Sequence, residues 1–502
     1  MSSTSMNEDR SKKYDRQIRI WGEHGQTALE NSKVCLLNCG PTGAETLKNL
    51  VLGGIAAFTV VDATPVTARD LGNNFMVDLE SLGTPKAKCV CAHLNELNEA
   101  VSGSFVEDKP EYLIESNPSF FDNFTLVIAT QLCENIHLKL DSLLRQKGIP
   151  LLIARTYGLM GYVRLSLDEH CIIESKPDSR VDDLRLHEPW DELKAFSDSF
   201  DLASLDAKLY KHVPWGVLLM HVADKWRACH EGHLPTSTAE RRELKEMLKG
   251  MRRSYDEENF DEAVANVHKL WALPALEGAL KSILQDPRAD DPHLAHNVES
   301  RQHRRVTHAE SYKEDFWVMV AALKLFMAAE GGRLPLEGNL PDMTSTTESY
   351  VELQNLYRNK AVRDCGVVAE HAAALLKKVG RPADAISPDM LRLFCKSARF
   401  LTVVRYRSIA EECERATVKA RELQSALAPG MGSEDNCLSV NTALFVLLRA
   451  ADHVCTTYGR FPGTFDGELD EDLGLLKQAA AALLADVGVM ASLPDDLVGE
   501  MV

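Results

Sequence analysis

The chain has 502 residues, 45% of them hydrophobic, and a formal net charge of −18. That length holds two or more domains with sizeable cores, and the apolar share is ordinary for a globular protein. So acidic a balance speaks against nucleic acid as a partner and favours solubility and basic partner surfaces.

The opening segment, MSSTSMNEDRSKKYDR, is polar and has no apolar core. No stretch approaches the roughly 20 apolar residues of a membrane-spanning helix. The expectation is an intracellular protein, cytoplasmic and/or nuclear, with no membrane and no nucleic acid among its partners. Twelve cysteines are scattered without a CxxC pair. Cys35, Cys395 and Cys455 sit in apolar surroundings, so reduced core thiols are expected. Cys89 and Cys91 lack a second ligand pair, and no metal site is expected.

Residues 1–12 read as a disordered tail. Lys13 to Leu29, KYDRQIRIWGEHGQTAL, carries apolar residues at helical spacing, with Arg16 and Arg19 close together on it. By periodicity alone these arginines are solvated. Val34 to Ala63 is the unit on which the chain is built. It reads as strand (Val34–Leu37), turn (Asn38-Cys39-Gly40-Pro41-Thr42-Gly43), a Leu- and Ala-rich helix stopped by Gly53-Gly54, and strand (Phe58–Val61). Asp62 ends the second strand nineteen positions after Gly43. This is the plan of a dinucleotide-binding unit with an acid at the ribose position. The glycine pattern is damaged: Asn38 stands where the first glycine belongs, and Pro41 brings no N–H to the phosphate loop.

The loop from Thr64 to Gly83 follows, containing Asn73-Asn74-Phe75, and Pro85-Lys86 opens a helix. Leu126–Ala129 and Leu151–Ala154 are further strands, and Tyr162–Leu167 alternates as a more exposed one. Strands alternating with helices predict a mostly parallel sheet over residues 10–168. From Asp182 onward there is almost no strand pattern. Helices are predicted over Trp215–Cys229, Ala239–Tyr255, Asn259–Leu284, Tyr312–Ala329, Tyr350–Val379, Pro388–Glu414, Thr442–Tyr458 and Glu471–Val487. Three of them end in Gly-x-x-Pro, at Gly232, Gly332 and Gly459, where glycine suits a left-handed cap. Residues 285–311 are polar, with His293, His296, His303 and His308 and a basic group at Arg301, Arg304 and Arg305, and read as an exposed linker.

KYDRQIRIWGEHGQ, the 34–62 unit, NNF at 73–75 and GTPKA at 83–87 resemble the ThiF-like adenylating fold of ubiquitin-like-protein activating enzymes. VSGSFVEDKPEYL, SNPSFFDNFTLVIATQL, ARTYGLMGYVRL, EGNLPDM, YVELQNLYRNKA and LLRAADHV resemble the regulatory, non-catalytic subunits of the activating enzymes of the neddylation (RUB) pathway. The resemblance runs from about residue 10 to 495. It implies an α/β, Rossmann-like pseudo-adenylation domain with a large all-helical insertion. The expected division is 1–12 tail, 13–168 inactive adenylation domain, 169–490 helical domain without the thioester cysteine, and 491–502 the start of a truncated return to the adenylation domain.

The resemblance also assigns residues. The degenerate nucleotide site falls on Asn38, Gly40, Gly43, Asp62, Asn73, Lys86 and Gln131. Asn73 replaces a phosphate-binding arginine, Gln131 replaces the magnesium-binding aspartate, and Thr64 replaces a second acid. Adenylation needs cations against phosphate charge and an acid for magnesium; one lysine remains and the key acid is gone. No cofactor is therefore expected in this chain, with ATP and Mg held by a catalytic partner subunit. Arg16 is implied to reach in trans toward that partner's ATP, as an arginine finger does. Further implied partners are the ubiquitin-like modifier and a conjugating enzyme. The loop Glu330 to Met343 is expected to bind the partner through Glu330, Gly331, Gly332, Leu334, Leu336, Leu340 and Met343, with its leucines folding back onto their own helix as the alternative. A self-sufficient adenylating enzyme, and behind it a nicotinamide-dependent oxidoreductase, are the competing readings.

Overall fold

The computed structural model describes residues 3–175, 182–271, 278–291, 308–414, 440–486 and 495–499, with 276, 293, 488 and 493 singly. The chain falls into two compact units, one of residues 1–170, 307–310 and 405–502 and one of residues 171–306 and 311–404.

Helix α1, Ser3–Glu30, is interrupted at Tyr14 and at Gly22, whose φ of +74° is a backbone state that glycine favours. In an unbroken helix residues 10 and 30 would be about 30 Å apart. Instead Arg10 Nε lies 2.8 Å from Glu30 Oε1, so the segment doubles back at the break. The expectation of a disordered tail over 1–12 is thus corrected for residues 3–12, residues 1 and 2 lying outside the described residues. The helix starts at Ser3, and Arg10 is held by Glu30 and Glu23 while Lys13 donates to Asn98 at 2.7 Å.

The sheet comprises β1 (Lys33–Leu37), β2 (Ala57–Val61), β3 (Ser102–Val106), β4 (Leu126–Thr130), β5 (Leu151–Tyr157) and β6 (Met160–Ser166), in the order β3-β2-β1-β4-β5-β6. The first five strands in that order are parallel, and β6 returns antiparallel on β5. Crossovers run through α2 (Pro41–Gly53), α3 (Lys86–Leu97), α4 (Pro110–Ser116) and α5 (Glu134–Lys147). A central parallel strand covered on both faces needs apolar residues throughout. In β1, Val34 and Leu36 pack with Leu47, Val51, Val90 and Leu94 of α2 and α3, while Cys35 and Leu37 pack with Leu113, Leu140 and Leu144 of α4 and α5. Cys89 and Cys91 belong to the first of these cores. The crossovers from β1 and β4 leave in opposite directions, which opens a crevice at their carboxyl ends.

Strand β7 (Glu169–Ile172) leads into α6 (Asp191–Asp198), α7 (Ala207–Tyr210), α8 (Trp215–Cys229), α9 (Thr238–Gly250), α10 (Glu258–Asn266), α11 (Gly278–Leu284), α12 (His308–Ala329), α13 (Thr347–Lys378) and α14 (Pro388–Ser397). Phe316 to Leu323 of α12 are each no more than 3% exposed, the pattern of a helix enclosed on all sides. Gly232, Gly332 and Gly459 have φ of +82°, +86° and +71°, so all three Gly-x-x-Pro stops use a left-handed glycine.

The expected helix over Pro388–Glu414 is instead α14, then β8 (Thr402–Arg405), then α15 (Ile409–Glu414). β8 pairs with β7. Its run of Thr402, Val403 and Val404 is β-branched, which favours an extended backbone. The expected helix over Asn259–Leu284 is likewise divided into α10, a 3₁₀ turn Val267–Leu270 and α11.

The expected helical domain of 169–490 also needs correction. The chain rejoins the sheet unit at Arg405, so α16 (Val440–Tyr458) and α17 (Leu469–Asp486) belong there. Ala443, Val446, Leu447, Leu476 and Ala480 form a core with Tyr157 of β5. Most of the linker 285–311, including His296, His303, Arg301, Arg304 and Arg305, lies outside the described residues, and of 491–502 only 493 and α18 (Asp495–Gly499) are described. Among the described residues no helix is long and apolar enough to cross a membrane.

Candidate functional site

The crevice between β1 and β4 is where a doubly wound sheet offers a ligand site. Asn38 sits at its entrance with φ of +62°, a left-handed state that Asn tolerates better than most residues. Its Nδ2 donates to the Thr130 carbonyl at 3.1 Å, so a side chain crosses from β1 to β4 where a glycine would leave space. Gly40 caps α2 in extended conformation, and Pro41 opens the helix at a position that needs no N–H. A Cβ at Gly43 would lie 2.5 Å from the Asn38 carbonyl oxygen and 3.1 Å from Thr130 Oγ1. Gly43 is therefore required by helix–strand packing, whatever the site binds.

Asp62 is 3% exposed. Its carboxylate accepts from the Cys39 N–H at 3.0 Å and from the Thr64 N–H and Oγ1 at 2.8 and 2.6 Å. These three donors come from the chain itself and tie the β1 turn to the end of β2. Lys86 is drawn inward too: its Nζ lies 2.7 Å from Asp70 Oδ1, and the two side chains are only 13% and 10% exposed. Burial pushes the Asp70 carboxyl up, but the bonds from Lys86 and Thr67 outweigh it and hold the group below its ordinary value.

Asn73 is exposed, whereas its neighbour Asn74 is buried and donates to the Cys39 carbonyl at 3.0 Å. Gln131, with φ of +48°, turns its amide to the Thr156 carbonyl at 3.1 Å. A cleft of about 350 Å³ lies beside them, bounded by Pro41, Thr42, Glu45, Asn73, Phe75 and Thr156 among others, and among the described residues no Lys or Arg lines it. Phe75 is 85% exposed at its rim.

The structure therefore ties Asn38 to the end of β4, Asp62 to the β1 turn and Gln131 to Thr156, packs Gly43 against Asn38 and Thr130, sets Gly40 at the cap of α2, leaves Asn73 on the wall of the cleft and sends Lys86 to Asp70. Those residues do not fit a nucleoside triphosphate. Among the described residues no Lys or Arg lines the cleft and the only lining carboxylate is Glu45, while Asp62 is already engaged by the chain's own donors. Sequence reasoning missed Asp70 as the partner of Lys86, because no spacing rule links a loop acid to a lysine sixteen positions later. It missed the Thr42–Thr156 hydroxyl pair at 2.9 Å for the same reason.

Arg16 lies elsewhere on the sheet unit. Tyr14 beside it is buried, and its ring and hydroxyl cover Gly54, where a Cβ would come within 2.6 Å of the hydroxyl. Gln26 of the same element donates to the Gly53 carbonyl. These contacts dock α1 on the end of α2 and leave Arg16 exposed, with no ion pair or hydrogen bond among the described residues. Arg19 pairs with Asp15 at 3.0 Å.

In the loop from Glu330 to Met343, the expectation that the leucines and Met343 face a partner is corrected in favour of the alternative that they fold back. Gly331 and Gly332 are exposed and Glu330 is half-buried. Leu334 and Leu336 are 5% and 2% exposed and lie in the cores of their own unit; Leu340 and Met343 pack against the same core as Leu336. The Leu336 N–H donates to Asp364 at 3.0 Å and Arg185 donates to the Leu334 carbonyl. The leucines fold back because the loop's backbone groups find partners inside the unit, which turns the side chains inward.

The span that carries this mixed, mostly parallel sheet is of the ThiF class: the ThiF family model matches residues 14–187. The chain is 47% identical to the NEDD8-activating enzyme E1 regulatory subunit AXR1 of Arabidopsis thaliana, over 97% of this chain and 86% of that one. It is 39% identical to the regulatory subunit of Xenopus laevis over 98% of this chain and 89% of that one, and 32% identical to that of Saccharomyces cerevisiae over 76% and 78%. The chain belongs to the family of NEDD8-activating enzyme E1 regulatory subunits.

Proposed function

We propose that the chain is the non-catalytic half of a heterodimeric activating enzyme. In this reading it scaffolds a catalytic subunit that holds ATP, magnesium and the thioester cysteine, adenylates the C-terminus of the NEDD8/RUB modifier and passes it to a conjugating enzyme. The observation that carries it is the crevice: Lys86 and Asp62 are consumed by the chain's own contacts, and among the described residues no Lys or Arg lines the cleft beside them. Cations offset charge in adenylyl transfer, and a site without them gives the reaction little help. Arg16, exposed beside the docked Tyr14 and without a partner among the described residues, presents a guanidinium that can act outside its own chain. It would reach the partner's nucleotide in trans. The loop 330–343 drops out as a partner anchor through its leucines.

The test is ATP–pyrophosphate exchange by the purified chain alone, by the catalytic subunit alone, and by the two together, with modifier present. Exchange is expected only when the catalytic subunit is present, and it should rise on addition of this chain. Exchange by the lone chain, or tight magnesium-dependent ATP binding to it in calorimetry, would support the self-sufficient adenylating enzyme instead.

A further inference from the structure

Cys133 and Cys455 are 322 positions apart in the chain, yet their sulfurs lie 2.6 Å apart, both within the sheet unit. The two helices that carry them are fixed on either side of the pair. Glu134, beside Cys133, takes Arg449 at 2.6 Å. Asp452, one turn before Cys455, takes the buried guanidinium of Arg155. Cys133 occupies the N-cap of α5, but its side chain makes no capping bond; its carbonyl serves α5, accepting from the N–H groups of Ile136 and His137 at 3.1 Å. The sulfur is left to face Cys455.

The two thiols are not equivalent. Cys133 is half-buried and open to small solutes, while Cys455 is 3% exposed. The hydrogen bond from Cys455 pulls the Cys133 thiol down, against burial and nearby carboxylates, with Arg155 assisting; the same bond and burial push Cys455 up. The reachable sulfur is thus the one whose thiol is drawn down, and the hidden one lies in contact with it.

We propose that Cys133 and Cys455 form a peroxide-responsive dithiol site, in which Cys133 is oxidised and Cys455 resolves it into a reversible disulfide joining α5 to α16. The Cys133 thiolate attacks one oxygen of hydrogen peroxide, and the O–O bond breaks. With one proton the other oxygen leaves as water, so that sulfur is oxidised to sulfenic acid and the peroxide is reduced. The Cys455 sulfur then attacks the Cys133 sulfur, and the S–O bond breaks. The hydroxyl takes the Cys455 proton and departs as a second water. A dithiol reductant reverses the bond by exchange. Since the bond closes a loop of 322 positions, it should constrain the unfolded chain strongly.

The test uses the full chain treated with hydrogen peroxide, alkylated, and digested without reduction. The expected product is one cross-linked peptide containing Cys133 and Cys455, released by dithiothreitol, with a melting temperature raised by several degrees in the oxidised chain. In Cys455→Ser, Cys133 should stop at sulfenic acid and be captured by dimedone. In Cys133→Ser, Cys455 should stay reduced. The proposal is overturned if both thiols remain alkylatable at a peroxide dose that oxidises exposed Cys229, if Cys133 cross-links to another cysteine, or if the cross-link forms without a rise in melting temperature.

Discussion

Replacing Lys86 with Met removes the cation that faces Asp70 and leaves a largely buried carboxylate with Thr67 as its donor. The expected cost is ~1–3 kcal/mol of folding stability, read from urea unfolding. The gap should depend on pH in one direction. Asp70 is held below its ordinary value in the folded chain, so its contribution is complete above the unfolded carboxyl value near ~4 and is lost as pH falls through the lowered one. Wild type and Lys86→Met should therefore differ fully at neutral pH and converge below about pH 4. A variant with unchanged stability but impaired exchange in the heterodimer would return Lys86 to a nucleotide role. Arg16→Ala makes the opposite prediction. An exposed arginine without partners among the described residues contributes within about 0.5 kcal/mol to folding. Losing a cation from the developing charge of the partner's reaction should slow exchange by roughly 10²–10³-fold at saturating ATP. Equal rates for wild type and variant would remove Arg16 from the mechanism. If pairing with the catalytic subunit collapses instead, Arg16 belongs to the interface.

Among the elements, the loop after α12 shows how far a sequence can mislead. Prolines and glycines around exposed-looking leucines read equally well as a stiff docking loop or as a lid on the loop's own core. The choice rests on partners distant in the chain, Asp364 and Arg185, which no local pattern reveals. Changing Leu336 and Leu340 together to Ser should lower stability by ~3 kcal/mol or more, because Leu336 is 2% exposed in a packed core. Capture by the catalytic subunit, measured below the melting temperature, should persist; weakened capture with an unmoved melting temperature would restore the docking role. The β1–α2–β2 unit was legible for the contrasting reason that a parallel central strand, its turn and its crossover helix are specified by consecutive residues. The changed residue types at Asn38, Asn73 and Gln131 are legible too, Asn38 from the glycine pattern and the other two only through the family resemblance; where their side chains go is not, since Asn38 and Gln131 turn to the Thr130 and Thr156 carbonyls. The occupation of Asp62 is half legible: the sequence shows Thr64 where an acid is missing, but not that its N–H and hydroxyl both donate to Asp62. The strand β8 was hidden because four residues are too few for a period to show against a helical background.

For the whole molecule, the misplaced boundary is the informative one. An amphipathic helix has the same periodicity whichever core receives it, so nothing within α16 or α17 announces that they join the sheet unit. The buried pair of Arg155 on β5 with Asp452 on α16 marks that joining, with side chains 6% and 5% exposed. Asp452→Ala should cost roughly 3–5 kcal/mol by stranding a buried guanidinium, and the double change Arg155→Met with Asp452→Leu should recover most of it. Equal stabilities for Asp452→Ala and wild type would show that water reaches Arg155 and that the pair is dispensable. This interrupted arrangement also sets a timetable for biosynthesis. The strands are made first, but residues 171–404 must leave the ribosome before Asp452 exists to meet Arg155. At ~5–20 residues per second that is a delay of about 10–60 s. Throughout that interval β5 lacks the helices that cover Tyr157, so the nascent sheet offers an apolar face to whatever chaperone attends it.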